Sequence, residues 1–213
     1  MRDFWDAVTA LATVATAVAA WLGVSTWRQQ MRGQAKFDIA RRLLASANDL
    51  ADKFHGARNH FIATNEEPVE AATWVPQYRA SLEGQTKLFT GVFTKRWTPV
   101  AGAGAHMLSL LPEAKIFLPA DVAARAQSLL DCASRLLMHM NDYIRLVGED
   151  YQHMPAGVQQ QHDEEFKAAR WGVFAGSIAP VQGDHADALQ KDFRDLHSQL
   201  TDLLMPFVNL QKG

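Results

Sequence analysis

The chain has 213 residues and formal net charge −2, with 48% hydrophobic and 21% charged residues. That length fits one domain with an appendage, and the ordinary charged fraction excludes a chain disordered throughout. The near-neutral charge lacks the basic excess of a dedicated DNA binder, so no DNA partner is expected. The single cysteine, Cys132, excludes a disulfide framework and a cysteine-cluster metal site.

From Ala7 to Trp27 the sequence runs 21 residues without a charge. As a helix this stretch is about 31 Å long, close to the hydrocarbon thickness of a bilayer. Trp5 and Trp27 flank it, where amphipathic rings favour the two membrane–water interfaces. Arg28, Arg32, Lys36, Arg41 and Arg42 follow against one acid, Asp38, whereas on the other side Arg2 is offset by Asp3 and Asp6. This asymmetry predicts an outer terminus and transmembrane helix over 1–27, leading into a cytoplasmic domain over 28–213. Two other readings compete. A signal peptide could end at Ala17-Val18-Ala19, but its start is weakly basic and Asp6 interrupts it. A soluble Ala-rich core helix is the stronger rival, because Ala and Thr insert into lipid less readily than Leu.

Thr9, Thr13, Thr16, Ala20, Gly23 and Trp27 recur at alternating spacings of four and three, which is one stripe of a helix. Ala15, Ala19 and Gly23 form a small-xxx-small ladder that lets backbones approach closely in lipid. The pattern predicts an oligomer seam or pore lining at Thr9, Thr13, Thr16, Ala20 and Gly23. Trp5, Trp27, Arg28 and Arg32 are the expected interface anchors. In the plainer alternative the segment is a lone anchor, and its Ala and Thr reflect composition only.

Downstream, the pattern predicts an all-α fold, with the first helix continuing into a cytoplasmic bundle of four to five helices. Phe37, Ala40, Leu44, Ala47, Ala51, Phe54 and Phe61 extend the first helix as far as Asn65-Glu66-Glu67-Pro68, with Gly33 and Gly56 as places to bend. A second helix is expected from Pro76 to Trp97, carrying Tyr78, Leu82, Phe89, Val92 and Phe93. Ala101 to Ala105 reads as a flexible interruption, followed by a short apolar stretch from Met107 to Leu111. The clearest soluble helix runs from Pro119 to Val147 on Val122, Ala126, Leu129, Ala133, Leu136, Met140 and Ile144, and Gly148 stops it. A weaker helix lies within Met154 to Phe174. The last is capped near Asp184 and carries Leu189, Phe193, Leu196, Leu200, Leu203 and Phe207.

Candidate chemistry is sparse, and neither a metal nor a cofactor is expected. His55 and His60 point in different directions around a helix, and His162-Asp163-Glu164-Glu165 reads as a solvated face. Arg135 and His139 are one turn apart, a pair able to stabilise a phosphorane and shuttle a proton, as in dimeric helical ribonucleases. Those enzymes place four to six residues between the two, whereas three intervene here, and Arg58-Asn59-His60 is shorter still. No catalytic residue is therefore assigned, and Cys132 reads as a buried small residue. The basic residues from Arg28 to Arg42 suit attraction to anionic lipid.

Trp5 to Trp27, the following Trp27-Arg28-Gln29-Gln30 and Ala40-Arg41-Arg42-Leu43-Leu44 give an arrangement that resembles small single-span bacterial membrane proteins of antiviral systems. The membrane accessory protein of type VI-B CRISPR systems is the named type it is similar to. The resemblance implies a bacterial inner-membrane protein with its N-terminus outside and a helical cytoplasmic domain. It also implies assembly into a membrane pore and a cytoplasmic antiviral complex as partner. The expected function is then a homo-oligomeric membrane effector whose partners are the lipid bilayer and copies of itself. A passive anchored adaptor and an atypical ribonuclease are the alternatives.

Overall fold

The computed structural model describes residues 2–59, 81–174 and 188–209; within the first helix, the side chains of residues 2–12 and 14 fall outside the description. Five α-helices account for most of the described residues, with no strand among them. They are α1 (Arg2–Ala57), α2 (Leu82–Phe117), α3 (Ala120–Val147), α4 (Ala156–Val173) and α5 (Ala188–Val208), and a 3-10 turn at Tyr151–His153 precedes α4. The chain is all-α.

Cross-links between helices fix their directions. Moving back along α1, Asn59 meets Arg96, Ser46 meets His106 at 3.3 Å and Arg42 meets Glu113 at 2.9 Å, so α2 runs antiparallel to α1. Phe54 stacks on Phe193 and Asn48 accepts from His197, so α5 is antiparallel to α1 as well. Leu118 and Pro119 turn α2 back into α3. The second half of α1, the second half of α2, the first half of α3 and all of α5 thus form a four-helix bundle. The rest of α3 packs against α4, where Arg145 pairs with Glu165 and His162 bonds the Leu146 carbonyl.

The amphipathic stripes named from the sequence supply the core. Ala40, Ala47, Ala51 and Phe54 from α1, Val122, Ala126, Leu129, Ala133, Leu136 and Met140 from α3, and Leu189, Phe193 and Leu200 from α5 are all buried. Phe54 and Phe193 lie 3.9 Å apart between ring centroids and 4° from parallel. Such a pair contributes about 0.5–1.5 kcal/mol beyond its buried area.

Several sequence expectations are corrected. α1 passes through Gly33 and Gly56 without interruption and ends at Ala57, before Asn65; Phe61 and Pro68 lie outside the described residues. The stretch from Ala101 to Ala105 is not a break but the middle of α2. Its small side chains serve packing, since Ala103 is buried and a Cβ on Gly104 would sit 3.6 Å from Leu130 Cδ2. α2 also carries Pro99 and Pro112, both on its solvent side, where the lost backbone bond is least costly. It begins at Leu82 with the Ser81 side chain capping Gly84 N–H; Pro76 and Tyr78 lie outside the described residues, as does the expected cap Asp184. Gly148 ends α3 in ordinary right-handed geometry, and its small size is used against α2, where a Cβ would meet Thr86 Oγ1 at 3.0 Å. His162 is not on a solvated face: it is buried, while Asp163 and Glu164 are exposed.

Among the described residues, the burial of α1 begins at Ile39. Of its described side chains from residue 13 to residue 38, none is buried. Among the described residues no helix is long and apolar enough to cross a membrane. The charge-free stretch from Ala7 to Trp27 is described in its backbone throughout, but in its side chains only at residue 13 and from residue 15 onward.

The α5 docking makes a direct prediction. Phe193 is fully buried between Phe54 and the edge of His55. Phe193→Ala is expected to destabilise the full chain by about 3–5 kcal/mol in denaturant unfolding. A loss under about 1 kcal/mol would mean that α5 does not pack on α1 as described.

Candidate functional site

Two regions bring together the residues singled out above. The first is the projecting half of α1. Thr13, Thr16, Ala20, Gly23 and Trp27 are all exposed along one face, and a Cβ at Gly23 would meet nothing within 4 Å. Trp5 and Thr9 belong to the same helix, with side chains outside the description. Trp21 is 70% and Trp27 59% exposed, beside Val18, Leu22, Val24 and Met31. Arg28 and Arg32 follow one turn apart on the face of Trp21, Val24, Ser25 and Gln29. Among the described residues neither arginine has an acidic partner, whereas Arg42, further along, pairs with Glu113.

The second region is the joint where α1 ends, α4 ends and α5 begins. Arg58, the first residue after α1, is fully buried. Its Nε donates to the Gly172 carbonyl at 3.2 Å, one terminal nitrogen to the Trp171 carbonyl at 2.9 Å and the other to Gln190 Oε1 at 2.8 Å. Trp171 and Gly172 lie in the last turn of α4, whose carbonyls lack helical donors and carry the negative end of the helix dipole. Gln190 on α5 donates in turn to His55 Nδ1 at 2.8 Å. Arg96 on α2 plays the matching part for α1, donating to the Asn59 carbonyl from a buried position.

Arg135 and His139 come to this same joint with different duties. The Arg135 guanidinium bonds Asp192 at 2.8 Å and the Cys132 sulfur at 3.1 Å, so it ties α3 to α5. Burial raises the Cys132 thiol above its ordinary value, against the opposing pull of Arg135, which keeps it protonated and weakly nucleophilic. His139 lies flat over Gly172: a Cβ added there would come within 2.2 Å of its ring. Burial lowers the His139 pKa; Asp142 opposes this, and the nearby charges of Arg58 and Arg135 add to it. At neutral pH the ring is therefore uncharged, and it packs as an aromatic surface. Burial likewise lowers the pKa of His197, which bonds Asn48 at 2.9 Å.

Sequence reasoning noticed Arg58 only as part of a short Arg/His motif and passed over Gln190 and Arg96. The available signal was positional: an arginine just beyond the last turn of a helix is suited to bind carbonyls at a helix end. His60 lies outside the described residues. Among the described residues no three His, Cys, Asp or Glu side chains converge as metal ligands would. No family model, curated protein or solved structure matches the chain.

Two measurements check the joint. Gly172→Ala should destabilise the protein by about 1–3 kcal/mol through overpacking against His139, and adding His139→Ala should recover part of that loss. Strictly additive losses would show that the two residues do not touch. The second is pH dependence. Because folding lowers the pKa of His139 and His197 below the ordinary 6.5, the unfolded chain takes up protons first as pH falls. Stability is thus full above pH 6.5 and declines as pH drops through it. The decline should be shallower in His139→Leu, and an unchanged slope would place that titration elsewhere.

Proposed function

We propose that the chain is a homo-oligomeric inner-membrane effector: α1 anchors it in the bilayer, and clustered α1 helices perturb or permeabilise the membrane while the bundle stays on the cytoplasmic side. One observation carries this reading. Among the described residues no side chain of α1 before Ile39 is buried, yet this part of the helix presents Trp21, Leu22, Val24, Trp27 and Met31 outward. Water disfavours such a surface, whereas lipid or neighbouring copies would cover it. The absence of charge from Ala7 to Trp27, followed by a basic run, supports lipid as the cover. The exposed stripe of Thr13, Thr16, Ala20 and Gly23, at the spacing of one helix face, supports self-association. The antiviral setting and a bacterial source rest on the resemblance alone.

A second reading is favoured by one fact, that among the described residues no helix is long and apolar enough to cross a membrane. In that reading copies of α1 cover one another in water, and the bundle serves as an oligomeric adaptor.

Full-length protein incubated with liposomes separates these. The effector reading predicts flotation with the vesicles, a multimeric mass in mild detergent and release of an entrapped ion. The combined Thr9→Leu, Thr13→Leu and Thr16→Leu variant should abolish release while flotation persists. Flotation without release by the unaltered protein would identify a passive anchor. A multimer that does not float would select the adaptor in water.

A further inference from the structure

Between Asp6 and Asp38 the chain contains no acidic residue. Arg28 and Arg32 therefore have no acidic residue within one turn of them on α1, and among the described residues no other element covers this part of the helix. Arg28 and Arg32 rise one above the other from a single face, a spacing at which like charges repel unless an anion lies between them. The face continues through Trp21, Val24, Ser25 and Gln29, and the six side chains border a shallow, open groove on the surface of this one helix. The groove is graded in character. Trp21 and Val24 make one end apolar, Ser25 turns its hydroxyl proton back to the Leu22 carbonyl at 2.8 Å, and Arg28, Gln29 and Arg32 crowd donors into the other end. An amphiphile with an anionic head and hydrocarbon tails has the same gradient.

We propose that Arg28 and Arg32 clasp the phosphate of an anionic phospholipid whose acyl chains lie along Trp21 and Val24. This inference rests on the membrane reading of α1 and adds to it a selected lipid. Two guanidinium groups present planar forks of N–H donors that match phosphate oxygens in pairs, and guanidinium is weakly hydrated enough to do so at an interface. Trp21, the larger apolar surface in the groove, sits about two turns earlier, where the upper acyl chains begin. The next acid along α1, Asp38, is more than a turn and a half past Arg32 and so does not neutralise the pair.

Trp21 provides the reporter. The full chain, with Trp5, Trp27, Trp74, Trp97 and Trp171 replaced by Phe so that Trp21 is the remaining tryptophan, is reconstituted into vesicles of phosphatidylcholine and phosphatidylglycerol in which one or the other lipid carries brominated chains. At equal mole fraction, brominated phosphatidylglycerol should quench Trp21 more strongly. The enrichment is expected to be about 5-fold for one arginine and up to about 30-fold for two. In Arg28→Gln/Arg32→Gln the two lipids should quench alike. Equal quenching by both lipids in the parent protein would overturn the phosphate site while leaving the membrane reading intact. A preference that survives in the double variant would also overturn it. Quenching by neither lipid would mean that no bilayer surrounds Trp21, and the membrane reading would fall with the site.

Discussion

Arg58 leaves the end of α1 and gives its guanidinium to the last turn of α4 and to Gln190 near the start of α5. Three chain segments far apart in sequence are joined there by charge-assisted bonds, each contributing about 1.5–3 kcal/mol net. The location matters more than the sum. A buried arginine is tolerable because helix-end carbonyls have unfilled acceptor capacity and a negative dipole end, so one side chain meets two needs. The Phe54 ring, with the guanidinium carbon 5.7 Å from its centroid, covers the same group. His139 over Gly172 and Arg135 on Asp192 seal the surroundings.

The joint fixes the far end of α1, and the consequence is felt at the near end. A 56-residue helix spans about 84 Å, longer than the bundle it belongs to. With residues from Ile39 to Arg58 held by α2 and α5, the remainder must extend beyond the core. Gly33 does not relieve it: the backbone stays helical there, and Gly33 has open space on its Cβ side, so no contact bends the helix at that point. α1 therefore joins two environments, one buried among helices and one with tryptophans facing outward.

Much of the bundle was legible because burial demands periodicity. Val122, Ala126, Leu129, Ala133 and Leu136 repeat at helical spacing, and they are the residues α3 buries. The Ala101 to Ala105 stretch misled because glycine and alanine look the same in a flexible linker and in a close helix contact; only Leu130 across the gap tells them apart. His162 misled for a similar reason. Its neighbours Asp163 and Glu164 are exposed, but the ring turns inward to the Leu146 carbonyl, and a run of polar letters does not record which way one side chain points. In the joint, Arg135 and His139 were visible as a pair, yet their separate uses depend on Asp192 and Gly172, which are remote in sequence.

The sequence by itself determined the helical class, the stripes that fill the core, and a charge-free segment followed by arginines, because each is a local property of spacing or composition. Tertiary structure decided where α1 leaves the bundle, that α2 is one helix, and that Arg58, Gln190 and His55 meet. All three hang on pairings between segments apart in sequence, the last across more than 100 positions, and a one-dimensional pattern holds no information about which distant helix end will lack a hydrogen-bond donor.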